Sequence, residues 1–278
     1  MSKENVKPLV DIIQLCFLDR EHLIPSLDDV TFETRPAEKI GVVGRTGAGK
    51  STLLVALFRM CEIDSGEIFI DTVNIAHIGL TALRAFIIAQ AQLSSQLGSK
   101  SKLAIIPQDP FLFSGTVREN LDPLEEHQDP QLWDALQRCH LVAAVRKLGG
   151  LQAPVGPGGS HLSVGQRQLI CLVRAVLHNA KVSVGLEAAN EIKEAKILCI
   201  DEATANVDQE TDGYIQQTLR SSFRQSTVIT IAHRVRTIMD SDRVMVMANG
   251  RVIEFDTPEV LLQDKSSQFY QVSNYEFQ

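Results

Sequence analysis

The stretch Gly44-Arg45-Thr46-Gly47-Ala48-Gly49-Lys50-Ser51-Thr52 constrains this chain more than any other. It follows the apolar residues 40–43 and precedes the apolar residues 53–58, so it reads as strand, glycine loop, helix. Glycines remove the side-chain bulk that would hold backbone N–H groups away from phosphate oxygens. Lys50 then reaches the β- and γ-phosphates of a nucleotide, and the Ser51 hydroxyl ligates Mg²⁺. The helix that begins here turns the positive end of its dipole toward the anion. A glycine loop can also serve only to turn a strand sharply into a helix, but that role has no use for the Lys-Ser pair.

The 278 residues, 44% hydrophobic and 22% charged, suffice for one good core and a smaller appended lobe. A net charge of −7 argues against nucleic acid as the main partner, because polyanion binding needs clustered Lys and Arg. The five cysteines Cys16, Cys61, Cys139, Cys171 and Cys199 form no C-x-x-C pair, and three lie in apolar segments, which predicts reduced core thiols of an intracellular protein. No apolar signal region follows the first charges and no run of about eighteen apolar residues occurs, so the chain alone is expected neither to enter nor to cross a membrane.

Strands are predicted over residues 11–18, 30–33, 40–43 and 67–70, with the phosphate-loop helix running to about Met60 and a helical segment over 78–84. Residues 111–178 read as mostly helical, with Asp129 capping a helix whose apolar face is Trp133, Leu136, Leu141 and Val145. A glycine loop at 156–159 leads into Leu162-Ser163-Val164-Gly165-Gln166 and another apolar helix. The apolar strand 197–200 ends in Asp201-Glu202; a helix over 209–223, a strand over 227–231 and a hairpin turning at Asn249-Gly250 follow. This alternation predicts a mainly parallel α/β core with a β-rich N-terminal flank and a helical insertion.

Asp201 follows four apolar residues, so its carboxylate is expected at the C-terminal edge of a central strand, where open α/β sheets bind ligands. There it can hold the Mg²⁺ between the β- and γ-phosphates, and Glu202 beside it can polarise the attacking water.

Five ordered motifs, GRTGAGKST, Gln108 in IIPQDP, LSVGQ, ILCIDE and His233 in IAHR, resemble those of ATP-binding-cassette proteins over nearly the whole chain. FSGTVRENLDP, LSVGQRQLICL and ILCIDEATANVDQETD are similar to the second nucleotide-binding domain of subfamily C exporters. The resemblance implies a P-loop NTPase with a RecA-like core, an N-terminal antiparallel β subdomain and a helical signature subdomain at about 111–180, all within residues 9–275 after a tail at 1–8. It implies that Gly44 to Thr52 hold ATP, that Ser51, Gln108 and Asp201 surround Mg²⁺, that Glu202 is the general base, and that His233 contacts the γ-phosphate. Ser163, Gly165, Gln166 and Asp208 would meet the nucleotide of a partner domain. The implied partners are a second nucleotide-binding domain and the transmembrane domains of an exporter, with no nucleic acid. The place is the cytoplasmic face of a plasma, vacuolar or lysosomal membrane, or the cytoplasm for a free chain.

Three departures stand out. Asp19 occupies the place of the usual adenine-stacking tyrosine, with Phe17 the nearest ring; Pro157 replaces a glutamate before the signature; and residues 86–102 and 182–196 are inserted at the N-terminal ends of strands, opposite the nucleotide edge. The repeated Ala-Lys pair around the second insertion and the bland composition of both suggest retained non-coding sequence. Two functional readings follow: an ATPase that resets an exporter, and a module using ATP as a dimerisation switch with little turnover. A DNA- or ribosome-linked cassette ATPase is disfavoured by the acidic balance and by the lack of a long coiled coil.

Overall fold

A computed structural model of the chain describes residues 10–17, 25–79, 103–184, 197–203, 207–232 and 234–276. They form two compact units, one within residues 1–84 and 226–278 and the other within 85–225.

The first unit begins with β1 (Val10–Phe17) and β2 (Leu27–Glu33), continues through β3 (Lys39–Val43) and the glycine loop into α1 (Lys50–Leu57), and returns in β4 (Ser65–Ile70) and β5 (Val73–Asn74). The expected β-rich flank is an antiparallel sheet in the order β2-β1-β4-β5. Alternation points Val10 and Ile12 into the core, both fully buried. The register then shifts between Ile12 and Leu15, with Gln14 at φ 48°, so Leu15 rather than Gln14 resumes the inward side. Gly66 faces this bulge, where a Cβ would lie 2.4 Å from Gln14 O. By contrast β3 is buried on both faces, as suits a central parallel strand, and a Cβ at Gly41 would meet Ile238 Cβ at 2.5 Å.

The second unit contains β6 (Leu103–Ile106), β7 (Gly115–Thr116), α2 (Val117–Leu121), α3 (Asp129–Arg138), α4 (Val142–Leu148), β8 (Pro154–Val155), α5 (Val164–Val184), β9 (Ile197–Asp201) and α6 (Gln209–Ser222). β6 pairs in parallel with β9, and β7 pairs antiparallel with β8. Two details differ from expectation. Gln128, not Asp129, is the N-cap of α3: its backbone N–H donates to Gln131 Oε1 at 2.8 Å, and Gln131 N–H returns to the Gln128 backbone carbonyl at 3.0 Å. That helix also stops at Arg138: His140 takes φ 57° and Leu141 N–H returns to Leu136 O, so Leu141 and Val145 belong to the next helical turn.

The chain then completes the first unit with β10 (Thr227–Ile231), β11 (Arg243–Ala248), β12 (Arg251–Asp256), α7 (Pro258–Gln263) and α8 (Gln268–Glu276). β3 lies between β10 and β11 and runs parallel to both. The predicted hairpin joins β11 to β12, with Asn249 at φ 51° and Gly250 at φ 77°, the left-handed pair that matches the strand twist. Glu38, just before β3, is 4% exposed and is held bidentately by Arg243, Nε to Oε1 at 2.6 Å and Nη2 to Oε2 at 2.8 Å.

None of the five cysteines forms a disulfide among the described residues, and Cys139, Cys171 and Cys199 are buried as expected, with burial pushing the Cys139 thiol up to about 12. Cys16 and Cys61 are half-buried. The first expected insertion lies outside the described residues; of the second, residues 182–184 complete α5 and 185–196 lie outside. A short 3₁₀ turn, Ile75–His77, precedes the expected helix over 78–84; Ile78 is extended, and residues 80–84 of that expectation lie outside the described residues.

Candidate nucleotide site

The predicted site residues divide between the two units. In the first, β3 delivers the chain into a loop that only glycine can follow at two points. Gly44 has φ 154° and a Cβ there would lie 2.3 Å from Met247 O; Gly49 has φ 99° and a Cβ would lie 2.5 Å from Ser26 O. Arg45, Thr46 and Gly47 are exposed at the crest, and Ala48 closes a turn onto Arg45 O at 3.0 Å. Gly49 is the N-cap of α1 and supplies no side-chain cap. Leu53 N–H makes the helix's first bond to Gly49 O, so the amides of Lys50, Ser51 and Thr52 precede the intrahelical ladder. Leu53, Leu54 and Leu57 are buried beneath, each burial worth about 2 kcal/mol, so the loop stands on a fixed helix.

Lys50 is 5% exposed, and its ammonium donates to Gly44 O at 2.8 Å and Arg45 O at 3.3 Å. The cation thus curls back over the loop that the glycines open. A cavity of about 650 Å³ adjoins the crest between residues 44–48 and the end of β11.

In the second unit, β9 ends in a half-buried Asp201, and Glu202 follows at φ 47° with 9% exposure. That left-handed step aims the Glu202 carboxylate at Gln108, whose Nε2 donates to Oε2 at 2.8 Å. Two residues predicted from separate motifs, ninety-four positions apart, are therefore in direct contact. Ser163 and Gln166 form a reciprocal cap at the start of α5: Ser163 Oγ accepts from Gln166 N–H at 3.1 Å and Gln166 Oε1 accepts from Ser163 N–H at 3.0 Å. Gly165 lies against the first turn of α6, where Asp208 is the N-cap and accepts from Thr211 N–H at 2.9 Å and from its hydroxyl at 2.8 Å. Those bonds from Thr211, backbone first and side chain second, hold the Asp208 carboxyl below its ordinary value.

Thr211 and Gln168 were not among the residues singled out from sequence. Thr211 is the third helical residue after a capping Asp, a position that a capping pattern flags. Gln168 interrupts an apolar helix face and is 2% exposed, which marks it for a specific partner. His233 lies outside the described residues, as does Asp19; Phe17 ends β1, half-buried and paired with Leu27 after a further register shift. Pro157 starts a 3₁₀ turn, Pro157–Gly159.

Each unit, taken by itself, carries donors of the kinds a magnesium nucleotide takes. In the first, loop amides and one ammonium match phosphate oxygens and the Ser51 hydroxyl is a hard oxygen donor; in the second, the Asp201 carboxylate and the Gln108 carboxamide are hard oxygen donors of the kind Mg²⁺ takes. Residues 27–190 match the family model described as ABC transporter. The chain belongs to the ABC transporter family.

Relatives within the ABC family are long. The chain is 46% identical over 263 residues to ATP-binding cassette sub-family C member 10 of Mus musculus, covering 95% of this chain and 16% of that protein. With metal resistance protein YCF1 of Saccharomyces cerevisiae the figures are 47% over 246 residues, 88% and 14%. The chain therefore spans about one-sixth or less of the length of these ABC proteins. A solved structure of a bacterial Atm1-family ABC exporter with ATP bound superposes with a TM-score of 0.80 at 28% identity, over 96% of this chain and 42% of that one. The fold is that of an ABC exporter's nucleotide-binding domain, a P-loop α/β fold with a β-rich flank and a helical subdomain, as the motifs implied. Among the described residues no helix is long and apolar enough to cross a membrane.

Proposed function

We propose that residues 9–275 are the second nucleotide-binding domain of a subfamily C exporter, most like multidrug resistance-associated protein 7, which binds Mg-ATP, dimerises around it and hydrolyses it to drive export of amphipathic or anionic substrates. The loop amides and Lys50 hold the phosphates. Ser51, Asp201 and Gln108 hold Mg²⁺, which when bound would neutralise charge on the transferring phosphoryl group. Glu202 takes the proton of the attacking water, and His233 contacts the γ-phosphate. Ser163, Gly165, Gln166 and Asp208 serve the nucleotide of the partner domain. The partners are a second such domain and transmembrane domains at the cytoplasmic face of a plasma, vacuolar or lysosomal membrane.

The observation that carries this reading is the 2.8 Å bond from Gln108 to Glu202. A general base must be held by its neighbours before its water arrives, and a neutral carboxamide orients the carboxylate without supplying a counter-charge. The test is Glu202→Gln. ATP binding should persist while steady turnover falls at least ~100-fold, the scale of general-base catalysis. Hydrolysis retained in that variant would remove Glu202 from the role. Native turnover that rises with protein concentration separates the ATPase from a dimerisation switch with little turnover.

A further inference from the structure

One polar group in the second unit has no part in the roles assigned above, although it is almost wholly inside. Gln168 sits on the second turn of α5 and its carboxamide donates to two successive carbonyls, Gln108 O at 2.6 Å and Pro107 O at 3.2 Å. Its Oε1 is buried and has no hydrogen-bond partner among the described residues. A buried acceptor left without a partner is unfavourable, so the side chain is held in place by what its two donors do.

Farther along the same helix, Arg174 donates to Phe111 O at 3.0 Å and to Asn120 O at 2.6 Å. Two side chains of α5 therefore grip the backbone on either side of Asp109 and Pro110, and the Gln108 carboxamide projects from that gripped segment to Glu202. Pro107 has its φ fixed by its ring, which leaves little slack between the carbonyl bonds and the Gln108 side chain. The turn of α5 immediately before Gln168 holds Gly165 and Gln166, with Ser163 just ahead of the helix.

We propose that Gln168 is a positioning residue for hydrolysis: it fixes the Gln108 backbone to the helix that begins with LSVGQ and so sets where Gln108 holds Glu202. This rests on the ATPase reading. Gln168 touches neither nucleotide nor metal; it acts through Gln108. A displacement of the helix start is carried by two hydrogen bonds to the base.

The experiment compares Gln168→Met in the native chain and in a Gln108→Ala background, using Mg-ATP. Methionine keeps length and removes both donors. The expected result is a kcat lowered on the order of tenfold to a hundredfold, the scale of a misplaced catalytic group, with KM for ATP within about twofold. In the Gln108→Ala background the same substitution should change kcat by less than about twofold, because the group it positions is gone. An equal loss of kcat in both backgrounds, an unchanged kcat, or a parallel loss of kcat and ATP affinity overturns the proposal.

Gln168→Glu gives a second route should the methionine variant unfold. A protonated carboxyl donates one bond to a carbonyl, whereas a carboxylate repels both. Its kcat relative to the native chain should rise as the pH is lowered; a flat ratio opposes the proposal. Amide hydrogen exchange separates this failure from failure of the ATPase reading. Should the native chain hydrolyse no ATP, that reading falls. Exchange in residues 107–112 must still quicken in Gln168→Met while residues 44–57 stay unchanged; no change at 107–112 overturns the positioning role on its own.

Discussion

Thr211 fills the space in front of Gly165: a Cβ added to the glycine would lie 2.9 Å from Thr211 Cγ2 and 3.0 Å from its Oγ1. The glycine of the signature is thus a packing requirement of this domain, whatever it later meets across an interface. Gly165→Ala must push α5 from the first turn of α6, with a cost of about 1–3 kcal/mol for overpacking. Urea unfolding should show that loss, and Gly165→Ala with Thr211→Ser should recover part of it, because serine deletes the methyl group. An alanine variant as stable as the native chain would contradict the contact.

The pair Glu38 and Arg243 joins the residue before β3 to the start of β11, with side chains 2% and 16% exposed. Arg243→Met leaves a buried carboxylate without its cation, a change expected to cost about 3–5 kcal/mol. Glu38→Gln with Arg243→Met should restore most of it, since glutamine still accepts the Arg35 N–H that Glu38 Oε2 accepts at 2.7 Å. Chemical denaturation of the two variants decides, and equal losses would argue against the buried charge as the cause.

Asp208 gives a stability term with a defined pH sign. Its folded carboxyl titrates below the ordinary 3.8, chiefly through Thr211, so its contribution is fully present above that value and is lost as the pH falls through the lower folded one. Thermal unfolding of Asp208→Ala against the native chain should show a constant gap at neutral and mildly acid pH and a shrinking gap below 3.8. A gap that widens on acidification would have the wrong sign.

Lys50→Met removes the ammonium that bonds Gly44 O and Arg45 O. Mg-ATP at about a hundred times its Kd should stabilise the native chain by about 2.7 kcal/mol, and that stabilisation should vanish in the variant. A nucleotide-induced Tm shift that survives would place phosphate binding elsewhere.

Much of this arrangement is readable in the chain because each signal has a local cause. The Gly44, Gly49 and Lys50 pattern survives translation into φ angles and clashes, and the strand over 227–231 and the Asn249-Gly250 turn appear where alternation and turn chemistry put them. What escaped reading depends on partners distant in sequence. The end of α3 turns on His140 at φ 57°, where no glycine announces a stop. Gln168 reads as one more polar residue in an apolar helix until the carbonyls of Pro107 and Gln108, some sixty positions away, are placed beside it. The contact of Gln108 with Glu202 is equally invisible: each residue type was legible, but their pairing needs the left-handed turn after Asp201.

The reciprocal cap of Ser163 and Gln166 has one more consequence. Gln166 directs its carbonyl oxygen to Ser163 N–H, and Ser163 turns a lone pair to Gln166 N–H, so both side chains use acceptor capacity inside the helix start. What they keep for a visitor is an amide NH₂ and a hydroxyl proton, with one lone pair left on each oxygen. The protons the tip of α5 has to offer therefore outnumber its remaining lone pairs, a lean toward acceptors that needs no positively charged side chain.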